Sequence, residues 1–394
     1  MRSHLELIFK SIVLSVQNMF AILPWVTTAW ADIFKKIKST SQEMTIDFPS
    51  MTENGVYQNT HKPWAWVVGF WPGLLWLLYE KESYKPFMDM AIDRENTMDG
   101  PLDEYVDIHH DVGFMWQLTS MKHYELLGND LSRTRALRAA SHLASRFNIN
   151  GRFLTAWNKN DVNSADPRGL SIIDSTMNLP ILYWAAEQLD APRFKLIAMA
   201  HADTVLKEFI REDGSVRHMV EFDFLSGEVK KHHGGQGYNQ DSAWSRGASW
   251  AIHGCALSYQ YTKEPRYLDA AMKTADFFIS QLPEDHIPHW DFRAPRDENT
   301  PRDTSAAACV ASGMILISDL VEDTELKERY LSTATNILKS LNDNYSTYDD
   351  PSQQGLLIAG AFNCPQGLGI NCSLIYGDYY FVEGMSKLVD RLQG

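Results

Sequence analysis

The chain has 394 residues, 44% hydrophobic and 12% aromatic, which is enough apolar side chain to enclose a large core and excludes a disordered chain. Lys and Arg total 36 against 50 Asp and Glu, a formal charge of −14 that repels a phosphate backbone or an anionic bilayer and so argues against nucleic acid and membrane partners. It does not exclude an anionic sugar, because a locally hydrogen-bonding pocket overrides the global field.

Residues 1–32 read MRSHLELIFKSIVLSVQNMFAILPWVTTAWAD: a weakly basic start, an apolar middle, and an Ala29-Trp30-Ala31 end like a signal-peptidase site. Gln17, Asn18 and Pro24 interrupt the apolar run and make it a poor membrane span. The expectation is a helical extension over 1–29 packed on one catalytic domain over 30–394, with a cytoplasmic location. A cleaved signal is the alternative, and with it a periplasmic or secreted enzyme. Cys255, Cys309, Cys364 and Cys372 form no CxxC pair and read as thiols. A bridge between the last two is left open.

Aromatic-rich apolar segments, each opened by Gly, Asp or Arg, recur along the chain: GFWPGLLWLLYE (69–80), DVGFMWQL (111–118), DSTMNLPILYWAAEQL (174–189), RGASWAIHGCALSYQY (246–261), DTSAAACVASGMILISDLVE (303–322) and GDYYFVEGMSKLVDRL (377–392). They read as helices buried on most faces. Between them run amphipathic segments at helical spacing: a stretch after Tyr84, then 133–147, 192–210, 265–282 and 327–341. Pro192 and Pro265 fall where a helix tolerates proline best, in the first turn. Strand periodicity is scarce, and the N-terminal 30 or so residues supply the last outer helix. Alternating inner and outer helices close most simply into a single all-α (α/α)6 barrel. All inner helices then point one way, and the residues ahead of them gather at one end.

Those residues are rich in chemistry. Asn59 to Trp71 carries three tryptophans, and HHGGQGYNQDSAWSRGASW (232–250) carries two more with Arg246. Aromatic rings beside Asp, His, Gln and Arg suit sugars, whose C–H faces stack while their hydroxyls bond to polar groups; tryptophans filling a wide barrel is the plainer alternative. Asp111 and Asp174 open adjacent inner segments. Each has the bland reading of an N-cap, and Pro180 leaves open whether Asp174 sits in a loop or at a kink. A helix N-terminus favours the ionised carboxylate. Keeping one Asp protonated near neutrality therefore needs burial and a second carboxylate close by, with one held ionised and its partner protonated. The pairs His109–His110 and His232–His233 lack metal-ligand spacing, so no metal and no cofactor is expected. Gly-Gly-Gln-Gly at 234–237 reads as a tight turn near a ligand, and no Gly-x-Ser-x-Gly elbow is present.

At these residues the chain resembles family 88 of the glycoside hydrolases, the unsaturated glucuronyl hydrolases. The blocks are Trp66 with VVGFWPGLLWLLYE, HHDVGFMW, IIDSTMNLPILYWAAEQ, GQGYNQDSAWSRGASWAIHG, PHWDF with PRDTSAAA, and IYGDYYFVEG, in order from 59 to about 390. The resemblance implies an (α/α)6 barrel that removes a 4,5-unsaturated uronic acid from the non-reducing end of lyase-generated oligosaccharides. It would do so by protonating the enol ether at C4 and hydrating C5. On the matching positions Asp174 is the general acid/base and Asp111 its partner. Trp66, His110, His218, Gln236, Trp244, Arg246 and Trp250 bind the sugar ring or its carboxylate, with Arg246 or Gln236 on the carboxylate. His218 rests on the weaker local match RHMVEFDFLSG.

The loop GAFNCPQGLG (360–369) departs from the family, with Phe362 and Asn363 where Tyr and a more polar neighbour are expected and with no lysine; this implies a preference for unsulfated products. The expected partner is the oligosaccharide alone, bound by a monomer or weak homo-oligomer. Two rivals share the barrel: an unsaturated rhamnogalacturonyl hydrolase, and a sugar epimerase or isomerase in which His218 and His253 move the proton. A catalytically dead carbohydrate-binding barrel is the third.

Overall fold

The computed structural model describes residues 24–44, 47–158 and 165–393. Residues 1–23, which hold most of the expected extension and the signal-like run, lie outside the described residues. From 24 to 43 the chain is helical (α1), so the Ala29-Trp30-Ala31 stretch lies inside a helix. Val26, Ala29, Trp30, Ile33 and Ile37 are buried, one stripe at i, i+3/i+4, i+7 spacing.

The inner helices follow as α2 (Phe70–Glu82), the continuous rod α5 (Val112–Trp116), π turn (Gln117–Met121) and α6 (Lys122–Leu127), then α8 (Pro180–Leu189), α10 (Ser245–Thr262), α12 (Thr304–Leu320) and α14 (Ile375–Gln393). Between them lie the outer helices α3 (Lys85–Thr97), α7 (Asp130–Ser145), α9 (Pro192–Glu208), α11 (Pro265–Ser280) and α13 (Thr324–Tyr345), with a short α4 (Asp99–Glu104) after α3. Every residue of α12 from Thr304 to Ser318 is buried, as an inner position requires. On α11 the buried set is Tyr267, Leu268, Ala270, Ala271, Thr274, Ala275 and Phe278, one face only.

Inner and outer helices join through short corners. Four inner helices end on left-handed residues, Ser83 after α2, Gly128 after α6, Asp190 after α8 and Lys263 after α10, which turn the chain within two residues into the next outer helix. Proline opens α8, α9 and α11, where its missing N–H costs nothing. Helix α1 closes the outer ring: Phe34 meets Tyr84 and Phe87 of the α2–α3 side at 5.6 Å each. On its other flank Lys339 of α13 lies over the Trp25 ring. The helix over 24–43 fills this place in the outer ring, its apolar stripe continuing through Ile37.

The long connections, from each outer helix to the next inner one, all emerge at the opposite end. They carry the short antiparallel pairs β1 (Pro49–Glu53) with β2 (Val56–Asn59), β3 (Phe147–Asn148) with β4 (Phe153–Leu154), β8 (Gly360–Asn363) with β9 (Leu368–Cys372), and a three-stranded sheet β5 (Leu170–Ile172), β6 (Met219–Phe222), β7 (Val229–His233). Among the described residues no helix is long and apolar enough to cross a membrane. The four cysteines are free thiols, so the open question of a 364–372 bridge resolves against it.

Candidate active site

The N-terminal ends of the inner helices converge, and a chain of contacts links every residue singled out by sequence. Trp66 opens a 3-10 turn ahead of α2 and packs on Phe114 of α5 (5.8 Å) and Tyr376 of α14 (5.0 Å). Trp250 of α10 meets Phe114 at 5.4 Å and is itself buried. Tyr376 faces the Arg246 guanidinium at 5.3 Å, and the Trp244 ring takes that cation at 4.5 Å. Trp244 also meets His218 at 4.5 Å, and His218 Nε2 lies 3.6 Å from Asp174 Oδ2. Asp111 Oδ1 lies 3.4 Å from His110 Nε2. The two aspartates share one environment.

Neither aspartate is a cap. Asp111 precedes α5 with no side-chain capping bond, and Asp174 sits in a 3-10 turn, Ile173–Asn178, that ends where Pro180 begins α8. Proline cannot continue an α-helix backwards from its first turn, so the chain tightens there and leaves the Asp174 side chain at the cavity. Asp174 Oδ2 is buried without a hydrogen-bond partner, as are both ring nitrogens of His110 and the hydroxyl of Tyr376. Buried polar atoms in proteins are nearly always satisfied; four at one place mark a surface built for a polar ligand.

Burial raises both carboxyl groups. Asp111 is pushed up to about 8, by burial first and then by the charge of Asp174, against the pull of Asn178 and Arg146. Asp174 rises to about 6, held back by Arg246. Both shifts run upward, as keeping a proton on the pair near neutrality requires, and the Arg246 charge lies on the Asp174 side. Two interacting acids titrate as a pair, and this pair holds a single proton between about pH 6 and 8. Burial pushes His109 and His218 down to about 3 and His110 well below the usual imidazole range, so the histidines are neutral. The Gln236 backbone N–H donates to His218 Nδ1 at 2.8 Å, which leaves the His218 proton on Nε2, facing Asp174. Gly235 makes that contact possible: it has φ +59°, and a β-carbon there would sit 2.1 Å from Nδ1.

Arg246 lies buried between α10, α12 and the 360–363 strand. Its Nη1 donates to Asp303 Oδ2 (2.6 Å) and the Ala361 carbonyl (2.6 Å), and its Nη2 to Gln236 Oε1 (3.0 Å) and the Phe362 carbonyl (2.6 Å). Those four bonds occupy both terminal nitrogens, so the guanidinium is a buried structural cation that clamps the 360–363 strand. What it presents is Gln236: with Oε1 engaged, the amide NH2 is the free end.

Sequence reasoning left several supporting groups unassigned. Asp303, the N-cap of α12, neutralises Arg246. Ser175 donates to the Ile172 carbonyl (2.5 Å) and pairs with His201 Nε2 (2.6 Å), whose Nδ1 accepts from Leu154 N–H (3.0 Å); an outer-helix histidine thereby braces the Asp174 turn. Asn178 and Tyr376 lie inside quoted blocks, but nothing in their spacing marks them. His109, His110 and Asp111 bring donor atoms within 4.8 Å of one another, the candidate cation cluster among the described residues. The two rings lie 5.6 Å apart, tilted by 31°, and every group there also serves the carboxyl pair.

A ring of paired helices with two buried carboxyls under an aromatic mouth defines a glycosidase-type barrel. No protein-family model matches the chain, but relatives do. The unsaturated glucuronyl hydrolase of Bacillus sp. strain GL1 is 32% identical over 84% of this chain and 87% of its own. Its crystal structure superposes with a TM-score of 0.86 over 93% of this chain and 98% of that one, at 30% identity. An unsaturated chondroitin disaccharide hydrolase of Streptococcus pyogenes serotype M1 is 30% identical over 92% of this chain and 90% of its own. An unsaturated glucuronyl hydrolase specific for heparin superposes with a TM-score of 0.87 over 94% and 98% of the two chains, at 29% identity. The chain belongs to the unsaturated glucuronyl hydrolase family and is an (α/α)6-barrel glycosidase.

Proposed function

We propose that the protein removes a 4,5-unsaturated uronic acid from the non-reducing end of lyase-made oligosaccharides, with Asp174 as proton donor. The observation that carries the reading is a carboxyl raised to about 6 whose outer oxygen is buried with no hydrogen-bond partner, set beside His218, which Trp244 backs. The relatives act, by their names, on unsaturated glucuronyl and unsaturated chondroitin units.

The substrate is an enol ether, which needs one proton rather than the two-carboxylate displacement of ordinary glycosidases. Asp174 gives its proton to C4, and positive charge develops at C5 and the ring oxygen. Water adds at C5 and its proton returns to the Asp174 carboxylate; the hemiketal opens, and the partner sugar leaves from C1. Ionised Asp111 stabilises the cation as it forms. The proton must stand on Asp174 at that moment. Arg246 is the group that disfavours this; the substrate's own carboxylate, accepting a hydrogen bond from the Gln236 amide NH2, adds a negative charge on that side and raises Asp174 above its partner. Trp66 and Trp250 wall the sugar, His110 and His218 offer ring nitrogens to its hydroxyls, and Trp244 backs His218.

The epimerase reading needs His218 and His253 together. His253 instead neighbours Cys309, Glu383 and Tyr380, none of which touches His218. The test is to add unsaturated disaccharides and follow the ultraviolet absorbance of the conjugated enoate. Its loss with release of the intact partner sugar supports hydration; a persistent chromophore rejects it. Chondroitin, hyaluronan, heparin, gellan and rhamnogalacturonan fragments then rank the substrates, with unsulfated fragments expected to lead.

A further inference from the structure

We propose that Asn178 is a positioning residue that couples the two aspartates, holding one oxygen of Asp111 as an acceptor and fixing the turn that carries Asp174. The side chain is fully buried, and its orientation is unambiguous. The Phe114 backbone N–H can only donate, so the amide oxygen must face it, at 2.7 Å. The NH2 group then donates to Asp111 Oδ1 at 3.0 Å and to the Asp174 carbonyl at 3.3 Å. One amide thus joins the first turn of α5, the carboxyl that precedes it and the backbone of the neighbouring turn.

The approach is built in. Gly113 lies against Asn178 so closely that a β-carbon there would sit 2.4–2.6 Å from its Oδ1, Cα and Cβ, and Gln117 Nε2 adds a bond to the Met177 carbonyl at 2.9 Å. Both elements are locked at this contact, so the amide cannot swing away. Because Oδ1 of Asp111 accepts from Asn178, any proton on that carboxyl is confined to Oδ2, the oxygen 3.5 Å from His109 Nδ1.

The charged and titratable groups facing Asp111 are Asp174 from the adjacent turn, His109 and His110 from its own loop and Arg146 from the end of α7; those facing Asp174 are His218 and Arg246. Asn178 is the neutral member of this set, and it bonds the carboxyl of Asp111 and the backbone carbonyl of Asp174. Its donation favours the Asp111 anion, which under the proposed function leaves the shared proton to Asp174. That consequence rests on the proposed function; the coupling does not.

Asn178→Asp keeps the shape and the acceptor for Phe114 N–H while replacing the donor with a third carboxyl. Asn178→Ser removes the amide without adding charge, so the decision does not rest on one variant. Two readouts separate the coupling from the activity. In the protein alone, carboxyl titration followed by carbon-13 NMR is expected to move the Asp111 step to higher pH by one unit or more in both variants. With an unsaturated disaccharide, kcat is expected to fall at least 30-fold with KM within threefold, and the limb of the kcat/KM profile that reports free-enzyme Asp111, at about 8, to move up with the titration. A shifted titration in a protein whose wild type turns over no disaccharide leaves the coupling standing and rejects the function. Unmoved titration steps and limbs, whatever the rate, overturn the coupling.

Discussion

Arg246 and Asp303 form an ion pair sealed inside the barrel, with Nη1 and Oδ2 2.6 Å apart and neither side chain more than 2% exposed. The pair ties α10 to α12 and, through the Ala361 and Phe362 carbonyls, pulls the β8 strand over the mouth. Removing the cation leaves a buried carboxylate alone, at a cost of about 3–5 kcal/mol. Arg246→Ala is therefore expected to lower the urea midpoint markedly as well as to abolish turnover. Arg246→Lys should recover little, because one ammonium cannot reproduce a planar fork that holds four acceptors. Urea unfolding followed by tryptophan fluorescence checks both.

Asp174→Asn removes the proposed donor without changing shape. Turnover is expected to fall by ~10³-fold or more, the scale of general acid catalysis, while the disaccharide still binds with near-unchanged affinity by calorimetry. Full activity in this variant would reject the role given to Asp174.

The carboxyl pair sets a bell-shaped pH dependence. Below about 6 both acids are protonated and the anionic partner is lost; above about 8 both are ionised and no donor remains. Asp111→Asn removes the neighbouring negative charge, so Asp174 gives up its proton sooner. The alkaline limb is expected to move to lower pH, with a lower plateau, in rate measurements from pH 4.5 to 9.5.

The same shifts predict stability. Both folded-state values lie above the ordinary carboxyl value near 3.9, so the contribution to folding is complete below that pH and is lost as pH rises through about 6 and then about 8. Asp111→Asn escapes the second loss. Its melting temperature relative to wild type is expected to rise between pH 5 and 9; a difference flat with pH would contradict the burial argument.

Trp66 is half-buried and packs on Tyr376 at 5.0 Å with the rings tilted by 35°, forming one wall of the mouth. Trp66→Leu is expected to raise KM roughly 3- to 10-fold with kcat little changed, as for loss of a ring contact of about 1 kcal/mol. Initial-rate measurements at pH 7 decide it.

The ring was legible in the sequence because burial leaves a pattern. Helices such as α12, apolar all round, alternate with α11 and α13, apolar on one stripe, and that alternation is local information. Asp111 and Asp174 were legible for the same reason: each stands at the boundary of an apolar run. What no local pattern carries is a bond between distant residues. Asn178 reaching Asp111 across 67 positions, Arg246 engaged by Asp303 and two carbonyls beyond position 360, and His201 bracing Ser175 all exist because the barrel closes. Sequence determined which side chains arrive at the mouth, since helical periodicity and proline placement set where each rod begins. Tertiary structure alone decided how they are charged there. A carboxyl's proton depends on the water excluded and the charges within a few ångströms, and the neighbours of Asp111 and Asp174 are assembled only when the chain closes on itself.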